Sequence, residues 1–362
     1  METKARDLPY CGVRKAAVQQ ACPTMNEENT AHLLRFIVER YRVHVRKDIL
    51  GKPQPWTENP VLQRYKFTNV FREDDRVSKA LIDLVSHNQE LTFEEKVLNT
   101  FLLRSWNNPD TFTAFGGPWS AKDIYKGLQL KEAVRPVYQG LVIQNPGRKW
   151  WSSAYNQGGT KYAWKFPDGE GFSRAPSEEQ GKKFKDYEPD IPLRVFHIGP
   201  WLKERKVVYR LVNAKNQEAA YNIIREIRGF ASFLAYQVFV DLTYIEEFPF
   251  SENEFVVAGP GCKRGLDLVF TDYDGMTHEE ALFFLRDNLD EYFVALQHGD
   301  QEVPKWNPEG LFKHRPKGDR CVNLMSLENC FCELSKYIKA VNGTGRPRNT
   351  YKPTTTPWEY LR

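Results

Sequence analysis

Apolar residues recur at helical spacing along most of the chain, and two stretches show this most clearly. The segment EENTAHLLRFIVERYRVHVRK, residues 27–47, predicts a helix with one apolar face. The residues of that face are Leu33, Phe36, Ile37 and Tyr41. A second face of this kind, near the end of the chain, consists of Leu327, Phe331, Leu334 and Ile338.

Polar residues at the ends of apolar stretches predict where other helices begin and end. We expect two helices within residues 67–106, the first of them capped by Asp74. The pattern S/T-x-x-E predicts two capping boxes, Thr92 with Glu95 and Thr277 with Glu280. The pair Asn342–Gly343 is a usual helix end. With no internal repeat, the fold class predicted from these patterns is mostly α.

Residues 144–190 break the helical pattern with many Gly, Trp and Tyr residues. We expect an irregular aromatic and Gly-rich insertion, with one hairpin at most, and a lid over a site is one interpretation. The domains expected from the sequence are 1–58 (N-terminal helix and linker), 59–345 (helical domain, with 144–205 as insertion or lid) and 346–362 (basic arm).

Composition narrows the class of protein only slightly. The 362 residues are 41% hydrophobic and carry a formal net charge of +4, which fits a globular protein without demanding a polyanionic partner. The six cysteines form no CxxC pair, which disfavours a zinc knuckle and favours a reduced, cytoplasmic protein. We find neither the apolar run of a signal peptide nor a membrane-spanning stretch.

The turn AGPGCKRG, residues 258–265, is the first candidate for chemistry. Gly259 and Gly261 allow close approach of the backbone, and Lys263 and Arg264 add positive charge. A Gly-rich turn that opens a helix presents amides to an anion. The alternative is a helix–helix turn with solvated cations, and the turn alone favours neither. The sequence contains no Walker A motif.

The helix before this turn, FLAYQVFVDLTY, carries a polar stripe. Gln237, Asp241 and Tyr244 fall on one face of an otherwise apolar segment, which directs them into a cleft or the core. A buried carboxylate is costly unless it is paired or used. We predict a catalytic stripe, with a satisfied core hydrogen bond or salt bridge as the structural alternative.

Two further stretches are cationic. In YKFTNVFREDDRVSK, residues 65–79, Asn69, Arg72 and Arg76 could bind a phosphate, or the arginines could form ordinary surface ion pairs. No acidic residue lies between Glu333 and Glu359, so the arm with Arg346 and Arg348 could follow a nucleic-acid backbone. The alternative for the arm is a disordered, solvated tail.

Taken together and in order, four stretches resemble a known family. They are FTNVFREDDRVS, GFASFLAYQVFVDLTY, GPGCKRGLDLVF and CELSKYIKAVNGTGRPR. They are similar to the helical domain shared by phage 5-hydroxymethyluracil DNA kinases and alpha-glutamyl/putrescinyl thymine pyrophosphorylases. The resemblance covers most of residues 60–350, without the N-terminal helix and the aromatic insertion. It implies a helix-hairpin-helix DNA glycosylase-like fold.

The resemblance implies an enzyme of phage DNA hypermodification. Without a P-loop or room for a nucleotide-binding domain, it points to the pyrophosphorylase-type transferase rather than the kinase. The implied partners are double-stranded DNA whose thymine carries a 5-methylene pyrophosphate, and a small amine such as an amino acid or putrescine. No cofactor is implied, and a divalent metal is neither required nor excluded.

Site roles follow from the implied reaction. Asp241 is the expected base and Gln237 orients the base edge of a flipped nucleotide, on which Tyr236 and Tyr244 stack. The diphosphate would be bound by Arg72, Arg76 and Asn69. The DNA backbone would be bound by Gly259, Gly261, Lys263, Arg264, Arg346 and Arg348.

Two other functions remain open at this point. One is a glycosylase for a modified pyrimidine, using Asp267, Asp272 or Asp274. The expected position of a glycosylase aspartate, about 18 residues after the hairpin lysine in that fold, falls near Leu282, which weakens this interpretation. The other is a DNA-binding module without chemistry.

Overall fold

The computed structural model describes residues 21–145, 148, 150, 191–227, 229–299 and 303–352. These residues form fifteen α-helices and two short strands, which confirms the mostly α fold class. The helix-hairpin-helix glycosylase detail stays a prediction. No helix among the described residues combines the length and apolarity needed to cross a membrane.

The elements in the first half of the chain are mostly short helices. They are β1 (Thr24–Met25), α1 (Glu27–His44), α2 (Pro60–Arg64), α3 (Arg76–Leu81), α4 (Phe93–Trp106), α5 (Pro109–Ala114), α6 (Ala121–Tyr125) and α7 (Leu128–Gln144). Two π-helical turns, Val45–Ile49 and Ile82–Ser86, continue α1 and α3.

The second half of the chain contains two long helices and several short ones. Its elements are α8 (Ile198–Glu204), α9 (Val207–Val212), α10 (Gln217–Arg225), α11 (Ser232–Thr243), α12 (Pro260–Val269), β2 (Phe270–Asp272), α13 (His278–Gly299), α14 (Pro308–Leu311) and α15 (Leu324–Val341).

The chain divides into two compact units. The terminal unit comprises residues 1–75 and 252–362, and the central unit comprises residues 76–251. These boundaries differ from those expected at residues 58 and 345. Helix α1 is part of the terminal unit because it packs against α15, although some 280 residues separate the two helices in sequence.

The core of the terminal unit is built around α1, α12 and α15. The predicted apolar faces of α1 and α15 are confirmed, since all eight of their residues are buried. Strand β1 pairs antiparallel with β2, with Thr24 opposite Asp272. Directly after β1, the Asn26 amide donates to the Val269 carbonyl, and the Asn26 side chain caps α1.

Two glycines bring α12 unusually close to α15. A Cβ built on Gly265 would lie 2.2 Å from the carbonyl oxygen of Phe331, and one on Gly261 would lie 3.2 Å from the Cys332 sulfur. Both glycines therefore remove side-chain bulk at a helix–helix contact. This packing role accounts for their four-residue spacing in GCKRG.

Aromatic rings fill the core of the central unit around α4. The centroid of the Trp106 ring lies 5.4 Å from that of Phe196 and 5.6 Å from that of Phe115. The predicted capping box at the start of α4 is confirmed, with Thr92 and Glu95 each accepting from the other's backbone amide. The second predicted box, Thr277 with Glu280, is also present.

One sequence expectation is wrong. Asp74 does not cap a helix, because it lies in a 3-10 turn, Arg72–Asp74, with its carboxylate 3.7 Å from Arg315. The expected irregular stretch ends at residue 190, and the residues directly after it, 191–204, are helical, with Leu193 and Phe196 fully buried. Residues 151–190, with the expected hairpin, lie outside the described residues.

Gly265→Ala tests the close contact of α12 with α15. The added methyl would meet backbone atoms of Phe331, which cannot rotate away, so we expect a loss of about 1–3 kcal/mol or more in the free energy of unfolding. Gly140→Ala in α7 is the matched control, because nothing lies within 4 Å of its Cβ. Helix propensity alone should make that variant up to about 1 kcal/mol more stable. Urea unfolding measures both, and equal stabilities would contradict the packing role.

Candidate functional site

Three of the four family-like motifs meet in the terminal unit. The segment FTNVFREDD, the turn before α12 and the start of the CELSK motif on α15 join through buried polar side chains. We call this cluster the polar junction, and its members are Arg40, Asn69, Arg72, Asp75, Glu328, Asn329 and Glu333. Most are at least nine-tenths buried.

Asn69 is the centre of the hydrogen bonds in the polar junction. Its side-chain oxygen accepts from Arg40 at 2.5 Å, and its side-chain nitrogen donates to the Asp74 carbonyl at 2.7 Å. Its backbone amide donates to Asp75 at 2.9 Å, and its carbonyl accepts from Asn329 at 2.6 Å. Asn69 thus joins α1, residues 74–75 and α15 through hydrogen bonds. Its predicted role in pyrophosphate binding stays a prediction.

Arg72 lies among carboxylates. Its side chain is only 6% exposed, and its Nη1 is 3.8 Å from the Asp75 carboxylate. Its positive charge also acts on Glu328. The junction contains two arginines and three carboxyl groups, and the third carboxyl group, Glu333, is bonded to the ammonium of the exposed Lys336 at 2.8 Å.

Two carboxyl groups of the junction have raised pKa values because they are buried. Burial raises the pKa of Glu328 to about 7, although Cys332, the Gly259 amide and the Arg72 charge act in the opposite direction. Burial likewise raises the pKa of Asp75 to about 6, against the charge of Arg72. A carboxyl group that titrates near neutral pH is suited to proton transfer, and perturbed groups concentrate at functional sites.

The turn AGPGCKRG offers fewer free amides than the sequence suggested. The Gly259 amide donates to Glu328 at 3.2 Å, and the Ala258 amide donates to Glu279 at 3.0 Å. Carboxyl groups of the protein itself therefore already accept two amides of this turn, and its predicted role in DNA binding stays a prediction. Lys263 is partly exposed and Arg264 is exposed, so the cations of the turn face solvent.

The basic arm is attached to the terminal unit. The Lys66 amide donates to the Asn349 carbonyl and the Tyr351 amide donates to the Arg64 carbonyl, both at 2.9 Å. The alternative of a disordered tail is therefore wrong for residues 349–351. Arg346 and Arg348, both exposed, lie just before this attachment. Residues 353–362 lie outside the described residues.

In the central unit, Asp241 forms a fully buried ion pair with Arg104. The guanidinium binds both carboxylate oxygens, at 2.5 and 2.6 Å, and neither side chain is exposed. Arg104 also donates to Asn107 at 2.8 Å. This is the salt-bridge alternative that the sequence left open for Asp241. The catalytic role stays a prediction.

The neighbours of Asp241 on α11 also face the core. Gln237 is 2% exposed and Tyr236 is 1% exposed, and the Tyr236 ring stacks on Phe239. Tyr244 is only half-buried. Tyr244 is thus the most exposed of the three residues of the predicted polar stripe. The exposed Arg76 forms a surface ion pair with Asp110 at 2.7 Å, as its structural alternative predicted.

A family model described as the helical domain of 5-hmdU DNA kinase matches residues 27–346. A curated 5-hmdU DNA kinase of Bacillus phage SP10 is 30% identical over 312 residues, which is 83% of this chain and 44% of the relative. The chain belongs to this family. The family match includes α1, which the motif resemblance did not cover. The chain spans less than half the length of this curated relative, and no solved structure matches it.

Arg104 and Glu328 were not predicted from the sequence. The sequence signal for Glu328 is a polar stripe on α15, where Glu328 and Asn329 precede Cys332 and Glu333 by four residues. Arg104 interrupts the apolar run FLLRSW in the same way. Within the described parts of the chain, no group of three or more His, Cys, Asp or Glu residues is arranged to hold a metal ion.

Asp241→Asn should destabilise the central unit, whatever its effect on activity. Removing one partner of a buried ion pair leaves the Arg104 charge uncompensated and typically costs about 3–5 kcal/mol. The double variant Arg104→Met/Asp241→Leu should recover most of that loss, because it removes both charges. Thermal and urea unfolding measure the difference. Wild-type stability of Asp241→Asn would show that the pair does not support the fold.

Glu328→Gln should become more stable relative to the wild type as pH rises. The folded wild type keeps a proton on Glu328 up to about pH 7, whereas the unfolded chain loses it near pH 4.5, so wild-type stability falls across this range. The expected difference above pH 8 is roughly 3 kcal/mol in favour of the variant. Urea unfolding from pH 5 to 8.5 measures this difference. The control is Glu279→Gln, because Glu279 is partly exposed and accepts the amide of Ala258, next to Gly259. A pH-independent difference would contradict the raised pKa.

Proposed function

We propose that this chain is a transferase of DNA hypermodification, which replaces the pyrophosphate of 5-pyrophosphoryloxymethyl-uracil in DNA with an amine. The observation that carries the proposal is the family match over residues 27–346. The curated relative is named for a kinase of 5-hmdU DNA. A relative that phosphorylates the 5-hydroxymethyl group would supply the phosphorylated precursor of such a substrate.

The proposed reaction exchanges one bond at the 5-methylene carbon. The carbon–oxygen bond breaks and pyrophosphate leaves with its electron pair, aided by deprotonation of the pyrimidine ring. The amine nitrogen then attacks the exocyclic methylene and forms a carbon–nitrogen bond. A base accepts the extra proton of the amine, and the ring recovers its own proton. Amino acids and polyamines such as putrescine are the candidate amines.

Glu328 is the better candidate for that base than Asp241. Asp241 is held on both oxygens by a permanent cation, whereas Glu328 titrates near neutral pH and binds the turn before α12. Arg72, beside Glu328, keeps its proposed role toward the diphosphate, with Asn69 as its positioning residue. Substrate access to this cluster requires the turn at residues 258–261 to move away from α15.

A DNA-binding module without chemistry is the second candidate function. The burial of Gln237 and Asp241 favours it, because Gln237 is only 2% exposed and both carboxylate oxygens of Asp241 are already bound by Arg104. In this case a separate protein would perform the chemistry, and the exposed cations of the turn and arm would hold the DNA.

A nucleoside digest separates these functions. DNA that bears the pyrophosphorylated base is incubated with the protein and a mixture of amines, then digested and analysed by mass spectrometry. An amine-substituted nucleoside with released pyrophosphate is the expected result. Abasic sites would replace the proposal by a glycosylase, and unchanged DNA that is bound tightly would replace it by a binding module.

Glu328→Gln distinguishes a catalytic from a structural carboxylate in the same assay. If Glu328 is the base, the variant loses at least about 100-fold in rate while its stability at pH 8 rises. A variant that is both stable and active would remove Glu328 from the mechanism without affecting the proposed reaction. Asp241→Asn is unsuitable as the single test, because its loss of stability would itself lower activity.

A further inference from the structure

The attachment of the basic arm creates a cationic surface on the terminal unit. Tyr65 and Thr350 form an antiparallel bridge, which places residues 63–66 beside residues 348–352. Neither segment contains an acidic residue, and the acid-free stretches extend over 59–72 and 334–352. Two stretches that are far apart in sequence thus contribute cations to one surface.

We call this the strap surface. Its cations are Lys47, Lys52, Arg64, Lys66, Arg348 and Lys352, and its two rings are Trp56 and Tyr351. All of these cations except Lys47 are exposed, and Lys47 is partly exposed. Carboxylates at its edge are Asp48, which pairs with Lys47 at 2.7 Å, and the exposed Glu58. The cations therefore remain in clear excess.

The two rings connect the cations into one surface. Trp56 and Tyr351 meet edge to face with centroids 5.1 Å apart. The Lys66 ammonium lies 5.3 Å from the Tyr351 centroid, and the Lys47 ammonium lies 5.9 Å from the Trp56 centroid. The Trp56 indole also donates to the Lys52 carbonyl at 2.7 Å. Cation–π contacts of this kind hold charged groups in place while leaving them accessible.

The two cations beside Tyr65 are exposed. Tyr65 itself is buried, whereas Arg64, the last residue of α2, has its guanidinium 5.2 Å from the Tyr65 ring centroid. The Tyr351 ring already has Lys66 over it and Trp56 against it, which limits stacking on an unpaired base. The surface therefore offers charge to a backbone rather than aromatic faces to bases.

We propose that the strap surface binds the phosphate backbone of double-stranded DNA without regard to base sequence. The proposal deepens the proposed function, since it rests on DNA being the substrate, and it assigns Arg64, Lys66, Lys52 and Lys352 to substrate binding. The arm contributes by completing a preformed surface, because residues 349–351 are held in place before DNA arrives.

Binding of labelled, unmodified duplex DNA, measured by fluorescence anisotropy at several salt concentrations, tests the proposal. Arg64→Gln/Lys66→Gln should weaken binding about 10-fold and reduce the salt slope by about 2, equally on two unrelated sequences. The matched control, Lys122→Gln/Lys126→Gln, removes two exposed cations from α6 in the central unit and should bind as the wild type does.

A second variant guards against misfolding of the first. Arg348→Gln/Lys352→Gln removes charge from the opposite strand of the bridge and should also weaken binding, while thermal unfolding verifies that each variant is folded. Wild-type affinity of both folded variants, an equal loss in the α6 control, or stronger binding to single-stranded than to duplex DNA would overturn the proposal. Because the DNA is unmodified, a failure of amine transfer leaves this result unaffected, and normal transfer with wild-type affinity in the variants would reject the strap surface alone.

Discussion

The close approach of α12 to α15 is the contact on which much of the terminal unit depends. Gly261 and Gly265 permit it, because any side chain at Gly265 would meet the backbone of Phe331. The approach brings the turn before α12 against Glu328, whose carboxylate then accepts the Gly259 amide. Burial of that carboxyl group raises its pKa to about 7, against the opposing charge of Arg72. The two glycines, which allow the helices to approach, thus determine the burial and hence the pKa of the Glu328 carboxyl group.

The two units solve the problem of buried charge in different ways. In the central unit, one guanidinium meets one carboxylate with two short hydrogen bonds, and the charges cancel. In the terminal unit, Glu328 accepts hydrogen bonds from Cys332 and from the Gly259 amide, and burial raises its pKa to about 7. The first arrangement holds the fold through paired charges. The second makes the protonation of one carboxyl group depend on how its surroundings pack, which is a property that catalytic and regulatory sites share.

Local patterns in the sequence predicted the helices well, because their causes are local. The apolar faces of α1 and α15 and both capping boxes follow from spacing within a few residues. The partners of buried polar groups did not follow, because Arg104 meets Asp241 across 137 residues and Gly259 meets Glu328 across 69. The polar positions on α11 were recognised, but whether Asp241 faces a cleft or a cation depends on which helix packs against it. The attachment of the arm escaped prediction for the same reason, since Tyr65 and Thr350 are unremarkable within their own segments.

The discontinuity of the terminal unit has a consequence for synthesis of the protein. The central unit is one continuous segment and contains all of its own core residues when residue 251 leaves the ribosome. The first 75 residues must wait, because α1 lacks α15 and the strand at Tyr65 lacks Thr350 until residue 350 has been translated. During that interval the apolar face of α1 is without its native cover. A chaperone, or slow translation through residues 252–352, would therefore matter more to this protein than to one whose units are consecutive in sequence.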